Sequence, residues 1–159
     1  TISKQLTITQ NRLNGYLDAL KAHNILVKKE WIVYCDFDEA NMKNEVRKLV
    51  ADKKRPNAIF ASVERLSMAS VKVLKEMNLK VPGDVALAGF ADNPLSRYLD
   101  PALTAVCQPT FSIGQNAAEL LIELIESKKA EEKYTTIKLK TSLDVQESSA
   151  RRGSNGIKS

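Results

Sequence analysis

The chain has 159 residues, 43% of them hydrophobic and 27% charged, with a net charge of +5. A chain of that length buries a core without a disulfide or a metal, and it holds no run of about 18 apolar residues to cross a bilayer as a helix. Its basic residues are scattered, at Lys28-Lys29, Lys53-Lys54-Arg55, Lys128-Lys129 and Arg151-Arg152. They read as cations at the carboxyl ends of helices rather than as a nucleic-acid face.

Taken in chain order, Ser3 is placed to cap a helix running to about Asn24, with Leu13, Tyr16, Leu17 and Leu20 on one face. Trp31-Ile32-Val33-Tyr34-Cys35 is continuous and apolar, the pattern of a strand covered on both faces. A loop at Asp36-Phe37-Asp38-Glu39 leads into a second helix striped by Met42, Val46, Leu49 and Val50, which Arg55-Pro56-Asn57 breaks. Ala58 to Ala61 is the next strand. A third helix carries Leu66, Val71, Leu74 and Met77, with Asn78 as a left-handed stop. Val81-Pro82-Gly83-Asp84 turns the chain into a strand from Val85 to Gly89, and Thr104 to Cys107 forms a short one. A fourth helix follows from about Ser112 to Ser127, then strands near Tyr134–Leu139 and Leu143–Val145. From Ser148 onward the sequence lacks apolar mass and reads as a mobile tail.

Strand, helix, strand, helix, strand implies a parallel sheet with right-handed crossovers. Ligands of such sheets sit beyond the carboxyl ends of the strands. Those ends are Asp36 to Asp38, Ser62 to Glu64, and Phe90 to Asn93.

The six glycines build no G-x-G-x-x-G and no P-loop, so phosphate cradling has no loop to use. His23, the one histidine, falls at the end of a polar helix turn and reads as an ordinary surface residue, which argues against a His-dependent triad or a histidine metal site. Asp36 and Asp38 have the spacing of a Mg²⁺-holding pair, but Phe37-Asp38-Glu39-Ala40 does not continue as such hydrolases do. Loop carboxylates, one capping the next helix, are the simpler reading. Phe37 has two readings, a ring laid on a sugar or base and a ring folded into the core. Cys35 and Cys107 have no metal-type spacing and read as free thiols of a reducing compartment. Thr1-Ile2-Ser3-Lys4 is neither a signal peptide nor an initiator, so the chain is expected to be a piece of a longer protein.

Five segments, in order, resemble the lactose/galactose-repressor family. Arg12-Leu13-Asn14-Gly15-Tyr16 with Ala19-Leu20 is similar to its R-x-x-G-[FY]-x-x-A-[LM] helix. Pro56-Asn57-Ala58-Ile59-Phe60 resembles its strand entry. Leu79 to Phe90 follows its L-x-[VI]-P-x-D-[VI]-x-[VL]-x-G-[FY] run. Pro101-Ala102-Leu103-Thr104, Gln108-Pro109, Ile113-Gly114 and Ala117-Ala118 match the next pattern, and Glu147-Ser148-Ser149 resembles its terminus.

The resemblance implies an α/β effector-binding domain, a three-layer αβα parallel sheet of the type I periplasmic-binding-protein kind. It spans residues 1–147, with 1–107 and 141–147 in the C-terminal lobe, 108–140 belonging to the N-terminal lobe, and 148–159 as the tail. It implies ligand contacts at Arg12, Phe37, Glu64, Asp92 and Gln108, and a homodimer interface at Met68, Val71, Lys72, Leu95, Tyr98 and Leu99. It implies no catalysis, cofactor or metal. The partners expected are a carbohydrate-derived effector, and DNA only through a helix-turn-helix outside this chain, in the cytoplasm and off the membrane.

Ala91 stands where the family usually has an aspartate, Glu64 where it often has Asp, and Gln146 where the terminal motif has arginine. The pocket therefore trades a carboxylate for apolar surface. The stripe of the fourth helix, with little of its own to pack on, is expected to meet another copy of the chain or material outside it. The competing expectation is a secreted solute-binding protein.

Overall fold

The computed structural model describes residues 1–91, 94–127 and 135–150, the side chains of Pro94 and Leu95 apart. It contains helices α1 (Thr7–Ala22), α2 (Glu39–Ala51), α3 (Glu64–Glu76) and α4 (Thr110–Ser127), and strands β1 (Ala58–Ala61), β2 (Ala86–Phe90), β3 (Thr104–Cys107) and β4 (Ser142–Asp144). The sheet runs β1-β2-β3-β4. Its first three strands are parallel, with Ala58 opposite Ala86 and Ala88 opposite Thr104, and β4 returns antiparallel with Val106 opposite Leu143. The result is a mixed α/β fold built on a parallel-dominated sheet.

The core lies where α2 and α3 pack together and α3 lies on β1 and β2. Met42, Val46 and Val50 of α2 meet Leu66, Ala69, Val73 and Leu74 of α3, over Ala61, Val85, Leu87 and Ala105. Each buried Leu or Val contributes on the order of 1.5–3 kcal/mol. Gly89 permits the close approach of α3 to β2. A Cβ there would lie 2.1 Å from Ser67 Oγ and 3.1 Å from the Ala61 carbonyl oxygen.

Local signals set several boundaries. Asp38 accepts a 2.8 Å bond from the Asn41 amide, capping α2. Asn78 has φ 54° just past α3, the left-handed stop that its amide side chain tolerates.

Four sequence expectations differ from the fold. Ser3 does not cap α1, which begins after Leu6 with no side-chain cap. Trp31–Cys35 is no ladder strand but a 3-10 turn (Lys29–Trp31) followed by extended chain. A strand needs a neighbour, and among the described residues Thr1 is the one seen bonding to it. The Thr1 nitrogen donates to the Val33 carbonyl at 2.7 Å, and the Cys35 amide donates to the Thr1 carbonyl at 2.8 Å. Residues 135–140 form no strand, and Tyr134 lies outside the described residues. Ser148, assigned to a mobile tail by its polarity, is 1% exposed. It fills the gap where β2 and β3 begin: its carbonyl accepts from the Leu87 amide, its amide donates to Ala102, and its hydroxyl bridges the Thr104 amide and the Leu87 carbonyl. Polarity misled because these partners are backbone groups, which apolar patterning does not register.

Candidate functional site

Arg12 projects from the middle of α1 toward the carboxyl ends of all three parallel strands. Its Nη1 donates to the carbonyl of Ser62, just past β1. Its Nη2 donates at 3.3 Å to Gln108 Oε1, just past β3. Its guanidinium carbon sits 3.7 Å from the ring centre of Phe90, the last residue of β2. One planar cation thus links three strand ends that are far apart in sequence. Arginine suits this role because it offers in-plane donors and a face that stacks on an aromatic ring.

An aromatic wall continues from that point. Phe90 meets Phe60 at 5.9 Å between ring centres, tilted by 58°, and Phe60 stacks on Tyr16 at 6.4 Å and 6°. Ala91 is 2% exposed, so a buried methyl stands at the end of β2. Behind the wall lies a cavity of about 410 Å³ between α1, residues 31–35 and β1. Leu13, Leu20, Trp31, Val33 and Ile59 line it.

Burial pushes the Cys35 thiol pKa above its usual value. A thiol so placed is a poor nucleophile. Asp36 and Asp38 are exposed. The Asp36 amide donates to Asn41 Oδ1 at 3.0 Å, so the pair organises the start of α2. Among the described residues no group of three His, Cys, Asp or Glu side chains is placed to hold a metal ion.

Of the residues singled out from sequence, the structure brings Arg12 and Gln108 together. Phe37 is 54% exposed on the loop before α2. Glu64 opens α3 and lines a groove with Glu39, Lys43, Arg65, Met68 and Lys72. Asp92 lies outside the described residues, as does the side chain of Leu95. Met68, Val71 and Leu99 are partly buried against the core, while Lys72 is exposed and Tyr98 is 84% exposed. The sequence reading put Phe90 at one of the ligand-bearing strand ends without naming it among the contacts, and it read Tyr16 only as part of the apolar face of its helix. The signal for Phe90 was its place as the final aromatic of the Leu79–Phe90 run, directly at a strand end.

A parallel-dominated α/β lobe with polar groups gathered at the carboxyl ends of its strands is the class this architecture defines. More particularly, the chain belongs to the periplasmic binding protein-like domain family, whose model matches residues 1–149. It is 32% identical over 142 residues to the ribose operon repressor of Haemophilus influenzae, covering 89% of this chain and 42% of that protein. Among solved structures it superposes on a LacI transcriptional regulator from Bacillus cereus subsp. cytotoxis with a TM-score of 0.85 at 26% identity, over 95% of this chain and 53% of that one. It also superposes on the transcriptional regulator CelR in complex with cellobiose, with a TM-score of 0.81 at 29% identity, over 92% of this chain and 44% of that one. The chain therefore spans less than half the length of that curated relative, and its relatives are repressors of the LacI family, which are not enzymes. Among the described residues no helix is long and apolar enough to cross a membrane.

Proposed function

We propose that this chain is the effector-binding and dimerisation part of a DNA-binding transcriptional regulator, and that its effector is a carbohydrate or a close derivative. The observation that carries the reading is Arg12, whose donors meet Ser62 and Gln108 at the strand ends where ligands of parallel sheets lie. The cellobiose held by CelR supports the sugar class. Effector binding in a cleft between this lobe and a partner lobe shifts a two-state balance, and a DNA-binding domain outside this chain reads the shift. The ligand moves that balance only by its differential affinity for the two states. In this reading Phe37, Glu64 and Asp92 complete the ligand contacts, and residues 108–140 belong to the partner lobe. Catalysis has no part in it, and the protein works in the cytoplasm. Exposed Tyr98 and Lys72 support a homodimer surface that Met68, Val71, Leu95 and Leu99 complete.

Titration of ¹⁵N-labelled protein with D-ribose, cellobiose and related sugars tests the proposal. A binding sugar moves the signals of Arg12, Phe90 and Gln108, and Arg12→Ala abolishes the response. A sugar panel that leaves those signals unmoved, or a response centred on the exposed face of α4, overturns it. Light scattering of the wild type and of Tyr98→Ala tests the dimer, which the substitution should weaken.

A further inference from the structure

Arg12 meets its three partners in different ways. Ser62 and Gln108 take hydrogen bonds in the plane of the guanidinium, whereas Phe90 covers one face of it at 3.7 Å. These two bonds hold the guanidinium along its edge but leave it able to rock about the line that joins their acceptors. A ring against the face fixes the plane, because tilting the guanidinium away from it forfeits both dispersion and the attraction to the ring quadrupole. Phe90 is itself held from behind by Phe60, which Tyr16 stacks against. The ring belongs to β2, an element paired on both sides within the sheet, and its carbonyl accepts from Ser67 Oγ at 3.3 Å. The platform is therefore built on rigid structure, as a site that must hold a donor in one orientation requires.

We infer that Phe90 is the positioning residue of the site, and that it selects effectors through the plane it imposes on Arg12. With one face covered, a ligand reaches the guanidinium from that side only at its edge. A ligand at that edge competes with Ser62 and Gln108 for the in-plane donors, so the groups that fit there are oxygen acceptors able to replace theirs, sugar hydroxyls among them. A flat ring cannot stack on the covered face. This inference rests on the effector reading of Arg12 given above, and it goes further by naming the residue that sets the geometry.

The test separates the two. In the wild-type chain, the Arg12 Nε–H resonance, assigned by its loss in Arg12→Lys, should carry a ring-current shift and nuclear Overhauser contacts to the Phe90 ring. Phe90→Leu keeps an apolar side chain on β2 but removes the ring. It should erase the shift and weaken D-ribose or cellobiose binding by about fivefold or more. Phe90→Tyr should restore both, a rescue that mere space filling would not distinguish from leucine. An Arg12 resonance without contacts to Phe90 in the wild type, or one unmoved in Phe90→Leu, overturns the inference whether or not sugars bind. If Phe90 does set the Arg12 resonance but no sugar in the panel binds, the platform stands and the carbohydrate reading falls. Should Phe90→Leu not fold, the wild-type contacts and Phe90→Tyr decide alone.

Discussion

Leu74 and Leu121 are the same residue on two helices of one chain, and their surroundings could hardly differ more. Leu74 on α3 is 0% exposed, pressed into the core with Val73, Met42 and Val50. Leu121 on α4 is 59% exposed, beside Ile122, Leu124 and Ile125, each 44% or more exposed. Helix α3 has six buried residues and α4 has none. The first helix lies between them, with Leu13, Tyr16 and Leu20 half-buried around a cavity and only Thr9 fully buried. The block of β1, β2, β3, α2 and α3 thus supplies its own core. Helix α4 carries the composition of a packed helix without the packing.

The contrast predicts where stability resides. Leu74→Ala removes side-chain carbons from a fully enclosed site and leaves a cavity, so it should cost about 2–5 kcal/mol in urea unfolding. A loss below about 1 kcal/mol would mean that the α2–α3 block is not the cooperative core.

Ser148→Ala should rank second, at about 1–3 kcal/mol, because it orphans the buried Thr104 amide and Leu87 carbonyl that its hydroxyl joins. Amide exchange at Thr104 should accelerate in step. If neither stability nor exchange changes, residues 148–150 are not part of the folded block.

How much of this was legible beforehand depended on which physical signal carried each element. The carboxylate cap of α2 and the Asn78 stop are local, written within three residues; the sequence placed the cap on one of Asp36 and Asp38, and the structure puts it on Asp38. Strands β1 and β2, whose apolar runs are short and bounded by turn residues, were legible as well. Trp31–Cys35 has the composition of a buried strand, yet extended chain becomes a ladder only beside a partner, and composition cannot say whether one is present. The pairing of Arg12 with Gln108 was within reach as two contacts carried over from family resemblance. The ring under Arg12 was not, because stacking between residues 12 and 90 leaves no trace in either local pattern.

A smaller effect comes from Arg97 and Asp144, which tie the 3-10 turn Pro94–Tyr98 to β4 through a 2.8 Å ion pair. Arg97 holds the Asp144 carboxyl below its ordinary value of 3.8, and Gln146 adds a second bond. A carboxylate with a depressed folded pKa contributes stability above its unfolded pKa and loses it as pH falls through the folded value. Asp144→Asn should therefore lower the unfolding midpoint slightly at pH 7, and the difference should vanish as the pH drops below 3.8. Added salt should shrink it as well, since exposed pairs are screened. A difference that persists at low pH would assign the effect to hydrogen bonding or packing instead.

The smallest effect is the one that tests the comparison most directly. Leu121→Ser places a hydroxyl where a large apolar side chain already meets water, so no burial is lost and no cavity forms. The change in unfolding free energy should stay within about 0.5 kcal/mol, against several for Leu74→Ala. Helix propensity is slightly poorer for serine, which sets the sign of any residual change. A cost near that of Leu74→Ala would mean that α4 is covered in solution. Light scattering would then tell whether a second copy covers it: a dimer that Leu121→Ser dissociates identifies the cover as another molecule of this chain, and a monomer whose α4 amides are nonetheless protected places the cover within the same chain.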